Sequence, residues 1–62
     1  MTPAEFTEWR GLLGLSKTAA ARTLGISRNM PHRYENGEAP IPRYVALACA
    51  AVAFNLPPYG AR

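Results

Sequence analysis

The chain has 62 residues and contains no aspartate, one cysteine, one histidine and one lysine. A lone Cys49 cannot close a disulfide, so nothing staples the fold covalently. One cysteine and one histidine (His32) do not make the four ligands of a structural zinc. The same scarcity leaves little for catalysis. There is no Asp-containing triad and no Gly-rich phosphate loop, and Cys49 lies inside an apolar stretch where its thiol should be inert. The expectation is a protein that is not an enzyme and needs no cofactor. Long apolar runs are also missing. The longest, from Tyr44 to Phe54, has 11 residues, against the roughly 18–20 of a membrane span. Residues 1–15 carry two glutamates and no basic leader, unlike a signal peptide. With an unpaired cysteine, this suggests a cytoplasmic protein with no membrane partner.

At this length there is room for one domain, not for a nucleotide fold, a barrel or a two-domain enzyme. A chain this short buries only about 60% of its unfolded surface, and its core supplies only a few kcal/mol. Binding or self-association is the remaining source of stability. Apolar residues are 48% of the total, which is globular rather than disordered.

Seven basic residues face four glutamates (Glu5, Glu8, Glu35, Glu38), for a net charge of +3, and six of the seven bases are arginine. The excess is concentrated. Residues 16–44 hold Lys17, Arg22, Arg28, Arg33 and Arg43 against Glu35 and Glu38. Arginine forks onto phosphates and guanine edges, so nucleic acid is the first partner to consider.

Helix punctuation is dense. Thr2-Pro3-Ala4-Glu5 has the form of a capping box with proline at the first helical position. Phe6, Trp9, Leu12 and Leu13 recur at helical spacing, and Gly14 follows. This predicts helix one over about 3–13, with Trp9 in the core. Ser16 caps a second helix that is rich in alanine and closed by Gly25. Ser27 is the next cap, and a third helix runs from about Arg28 to Glu35 or Asn36, before Gly37. Two short helices across a Gly-Ile-Ser corner make a helix-turn-helix at about 16–36. Pro40 and Pro42 keep the connector extended, helix four covers about 42–55, and 57–62 forms a tail after Pro57-Pro58. No strand pattern or internal repeat occurs. The fold class is all-α, a single domain over 1–62 with four helices, or at most five.

Helix four is apolar nearly all round, so it should be buried all round. One face, Val45, Ala48 and Val52, should pack on helices one to three. The other, Tyr44, Leu47, Ala51, Phe54 and Leu56, should meet a second copy. The alternative is that Leu56, Pro57 and Tyr59 fold back over it.

Ser16 to Ser27, with Ala21 and Leu24-Gly25-Ile26-Ser27, followed by Tyr34-Glu35-Asn36-Gly37, resembles the helix-turn-helix of lambdoid phage repressors and Cro proteins, in the XRE-type group. The likeness covers about residues 5–48. It departs from the family at Lys17, where glutamine is usual, at Ala19-Ala20 in place of Glu-Leu, and at Pro31 in place of valine or isoleucine. As the fourth residue of a helix starting at Arg28, Pro31 would remove an amide bond to the Ser27 carbonyl. The resemblance implies a compact repressor-like domain in which Arg10 and Glu35 form a structural ion pair. It implies base contacts in the major groove from Arg28, Asn29, His32 and Arg33. Ser16, Lys17, Thr18, Ser27 and Asn36 would contact the backbone, and Arg43 the backbone or minor groove. The implied protein is a homodimeric repressor, often of its own operon, that binds double-stranded DNA at a near-palindrome without a small-molecule ligand. A rival reading is an antitoxin or protein-interaction adaptor on the same fold.

Overall fold

A computed structural model describes residues 1–60. They form four helices: α1 Pro3–Leu12, α2 Lys17–Leu24, α3 Met30–Glu35 and α4 Arg43–Ala53. No helix among the described residues is long and apolar enough to cross a membrane. Of the tail expected over 57–62, Ala61 and Arg62 lie outside the described residues.

The capping box at Thr2 forms in both directions. The Glu5 amide donates to Thr2 Oγ1 (3.1 Å) and the Thr2 amide to Glu5 Oε1 (2.7 Å). That backbone amide holds the Glu5 carboxyl below the usual carboxylate range. Ser16 caps α2 through its hydroxyl, which accepts from the Ala19 amide (3.1 Å). At the corner after α2, Gly25 takes φ 73°. The Ile26 amide then reaches the Ala21 carbonyl at 3.0 Å and the Gly25 amide reaches Arg22 at 3.3 Å, which satisfies the last carbonyls of the helix. Any side chain at Gly25 would be strained in this left-handed conformation.

Four element boundaries differ from the sequence expectation, three of them for a clear local reason. The third helix starts at Met30 rather than Arg28. A regular helix from Arg28 would drive the Pro31 ring against the Ser27 carbonyl. Instead the Met30 amide takes that carbonyl at 3.0 Å in a tighter turn. Pro31 becomes the second helical residue, where an amide has no partner to lose, and its side chain is fully buried. Ser27 does not cap through its side chain, since its hydroxyl donates to Asn29 Oδ1 (2.6 Å). Helix four starts at Arg43, because Pro42 stands just outside it in extended backbone. It stops at Ala53, before the prolines, because Asn55 adopts φ 57°. The Leu56 amide then closes onto the Ala51 carbonyl (2.9 Å), the turn Gly25 makes after α2. Helix one ends at Leu12, one residue early.

The core is aromatic at its centre. Phe6 is fully buried, with its ring 5.4 Å from Trp9 and 5.5 Å edge-on from Tyr34. Trp9 belongs to this core, and its Nε1 donates to the Cys49 carbonyl (2.8 Å), tying α1 to α4. Ala20 and Ala21 are buried, so α2 approaches its neighbours with almost no side chain between them. Ala39 and Ile41 of the connector pack against the same cluster. Burial pushes the Cys49 thiol up to about 11.

Helix four is two-faced. Val45 and Cys49 are buried, and Ala48 and Val52 are half-buried. Tyr44, Leu47 and Phe54 are exposed, Phe54 by 78%. Leu56, Pro57 and Tyr59 are themselves exposed and leave that face open. A groove of about 400 Å³ runs beside it between Thr23 and Leu24 of α2 and Ala48, Ala51, Val52 and Leu56.

Candidate nucleic-acid interface

Helix α3 divides cleanly. Pro31 and Tyr34 are buried, and Met30 and Glu35 are half-buried. His32 and Arg33 are exposed, as are the capping residues Asn29 and Asn36. Their spacing of three, one and three residues puts them on one helical face. Sequence alone implies this partition once Pro31 and Tyr34 are taken as core.

The only acid on α3 is removed from that outward face. Glu35 turns inward and accepts from Arg10 Nε (2.7 Å) and Nη2 (3.0 Å), a two-pronged pair, and from Thr7 Oγ1 (3.0 Å). Arg10 Nη1 also donates to the Leu15 carbonyl (3.0 Å). The side chains are only 21% (Arg10) and 9% (Glu35) exposed. The Arg10 guanidinium holds the Glu35 carboxyl below its ordinary value, and Glu35 in turn raises Arg10. The pair clamps α1 to α3 and leaves the outward face of α3 without a negative charge of its own.

Ser16, Lys17 and Thr18 at the start of α2, Ser27 and Arg28 in the turn, and Arg43 at the start of α4 are exposed. Arg28 is not on α3 but in the turn before it. Asn29 Oδ1 is occupied by the Ser27 hydroxyl, which leaves the amide nitrogen free to donate. His32 Nε2 and Asn36 Nδ2 lie 2.9 Å apart, and Asn36 Nδ2 is 3.5 Å from Glu38 Oε2. Turning the amide over would set its oxygen against the Glu38 carboxylate. Asn36 therefore donates, and His32 accepts with its ring proton on Nδ1. The Arg33 guanidinium rests 3.9 Å from Met30 Sδ, which leaves most of its donors free.

One residue missed from sequence is Arg22. It lies on α2 beside Thr18 and Arg28, around a hollow of about 170 Å³. Its charge is visible in the sequence, but its nearness to Arg28 depends on how the corner brings α2 and the turn together. The residues marked for self-association are exposed, except Ala51, which is half-buried. Among the described residues no group of three or more His, Cys, Asp or Glu side chains is placed to hold a metal ion.

Residues 4–59 match the family model described as a helix-turn-helix domain. No curated protein and no solved structure matches the chain.

Proposed function

The chain belongs to the helix-turn-helix domain family, in the wider XRE-like group, and from that premise we propose that it is a sequence-specific regulator of transcription that binds double-stranded DNA. On this reading it is a homodimeric repressor of a phage or bacterial operon, its own included, and it works without an effector ligand. The observation that carries the reading is the division of α3. Its buried side anchors it, and its other side offers His32 and Arg33, flanked by Asn29 and Asn36, with Glu35 turned inward.

The proposed roles follow from donor chemistry. The Asn29 amide suits an adenine edge, and Arg33 forks to guanine O6 and N7. His32, with its proton on Nδ1, offers a donor toward an acceptor edge, and Arg28 stands beside them. Ser16, Lys17 and Thr18 bring the N-terminus of α2 to a phosphate. Ser27, Asn36 and Arg43 complete the backbone and minor-groove contacts. Arg33→Ala is expected to cost about 1–3 kcal/mol and relax preference at one base pair. Lys17→Ala should weaken all duplexes alike and reduce the salt slope by about one. Fluorescence anisotropy over a panel of site variants and salt concentrations separates the two. Identical behaviour of both variants would contradict this division of labour.

A six-residue reading helix with a handful of phosphate contacts binds weakly as a single copy. Two copies about a two-fold axis, with reading helices about 34 Å apart, would fit a near-palindrome. The exposed stripe of Tyr44, Leu47, Ala51 and Phe54, continued by Leu56, is the surface proposed for that contact, with the neighbouring groove to receive the partner's side chains. Leu47→Glu is expected to fold normally, since Leu47 is exposed, yet to sediment as a monomer and bind the full site at least tenfold more weakly. Unchanged sedimentation relative to the parent would exclude this face.

A further inference from the structure

The hollow between α2 and the turn into α3 has the build of a phosphate pocket. Its walls are Thr18, Ala21, Arg22, Ile26 and Arg28. Ala21 is buried and Ile26 half-buried, which makes an apolar floor, and the exposed residues Thr18, Arg22 and Arg28 complete the lining. Among the described residues neither guanidinium has a hydrogen-bond or ion-pair partner. Arg10, by contrast, is held by Glu35 and the Leu15 carbonyl. Helix α2 carries no acidic residue, and no carboxylate lines the hollow.

Arg22 and Arg28 both line this hollow, and like charges brought near each other repel. An anion between them removes that repulsion and gains forked, charge-assisted hydrogen bonds from both. At about 170 Å³ the hollow is smaller than the roughly 300–1,000 Å³ of sites for drug-sized ligands, and so suits a single phosphate group better than a base or a cofactor. Thr18 is also the second residue of α2, where a backbone amide has no partner within the helix.

We infer that Arg22, Arg28 and Thr18 form a pocket for one phosphate group, filled in the complex by the DNA backbone. Arg22 thereby joins the interface, and Arg28 serves to position the backbone rather than to read a base. The inference rests on the DNA-binding reading proposed above. The pocket lies at the entry to α3, so gripping a phosphate there fixes the register in which Asn29, His32 and Arg33 meet the groove.

The test compares the parent chain with Arg22→Ala, Arg28→Ala and Arg33→Ala, after circular dichroism has established that each is folded. Affinity is measured against a selected duplex and a scrambled one at several salt concentrations. Arg22→Ala and Arg28→Ala should each lower the slope of log K against log salt by about 0.9 and weaken both duplexes roughly tenfold at 0.1 M salt. Arg33→Ala should instead erode discrimination between them. An unchanged slope for Arg22→Ala, or loss of preference at a single base pair for Arg28→Ala, overturns the pocket. A parallel NMR titration with inorganic phosphate separates this result from failure of the DNA reading. If no duplex binds, phosphate-dependent shifts at Thr18, Arg22, Ile26 and Arg28 that vanish in Arg22→Ala would still support the pocket, with free phosphate as its source. Absence of both responses would overturn it.

Discussion

Phe6→Ala is expected to remove half or more of the stability of the fold. Phe6 is fully buried and its ring contacts both Trp9 and Tyr34. It therefore joins the residue that ties α1 to α4 to the one that anchors α3. Truncating a buried phenylalanine costs about 3–5 kcal/mol. Domains have roughly 0.05–0.15 kcal/mol of stability per residue, so a chain of 62 residues has only about 3–9 kcal/mol to lose. Urea titration followed by circular dichroism measures the loss directly. Leu12→Ala is the control: Leu12 is 81% exposed on the same helix, and its truncation should fall within about 0.5 kcal/mol of neutral. Comparable effects from the two would contradict the core described here.

Glu35→Ala is expected to cost about 2–4 kcal/mol. Removing one partner of a buried pair costs about 3–5 kcal/mol, and the partial exposure of Arg10 places this pair somewhat lower. The loss includes the bonds from Arg10 and Thr7 and leaves a guanidinium in a half-buried site without its counter-charge. Arg10→Met combined with Glu35→Leu should cost less than the two single changes added together, which a double-mutant cycle measures. The same pair sets an acid limit. Glu35 is held below its ordinary value in the folded state by Arg10. Its contribution is therefore fully present above that ordinary value and is lost as pH falls through the lowered one. Melting temperature should be flat with respect to this group from pH 7 to 5 and fall below about 4.5. Glu35→Gln should remove that part of the acid sensitivity. An unchanged acid limb in Glu35→Gln would show that the pair does not govern it.

Much of the architecture was legible because its signals are local. Thr2 with Glu5, and Ser16 with the Ala19 amide, are caps set by a few neighbouring residues. Gly25 marks its corner because few other residues accept its backbone conformation. The Arg10–Glu35 pair followed from the family resemblance, since the two positions lie 25 residues apart and no periodicity links them. What was not legible depends on competition between local groups or on tertiary placement. Pro31 shifted the start of α3 because its ring and the Ser27 carbonyl cannot share a regular turn. Asn55 ended α4 ahead of the prolines by adopting a backbone that asparagine tolerates and few other residues do. An asparagine two residues before a proline pair is the signal that could have revealed it. Arg22 became a candidate only when the corner set it beside Arg28. The outward face of α3 was readable in kind, but the bond between His32 and Asn36, which fixes the ring proton, needed coordinates.

The apolar stripe on α4 and the basic surface around α3 make one joint demand. Each alone has other uses, since an apolar stripe serves any protein partner and a basic face any polyanion. Together they support the two-fold symmetric duplex site proposed above. The most direct test is selection of bound sequences from a random duplex pool at about 150 mM salt, with the winner titrated against scrambled DNA. The expected winner is a near-palindrome with half-sites about one helical turn apart, bound at least 10³-fold more tightly than scrambled DNA. A pool with no enriched sequence, bound only weakly and with strong salt sensitivity, would contradict that expectation.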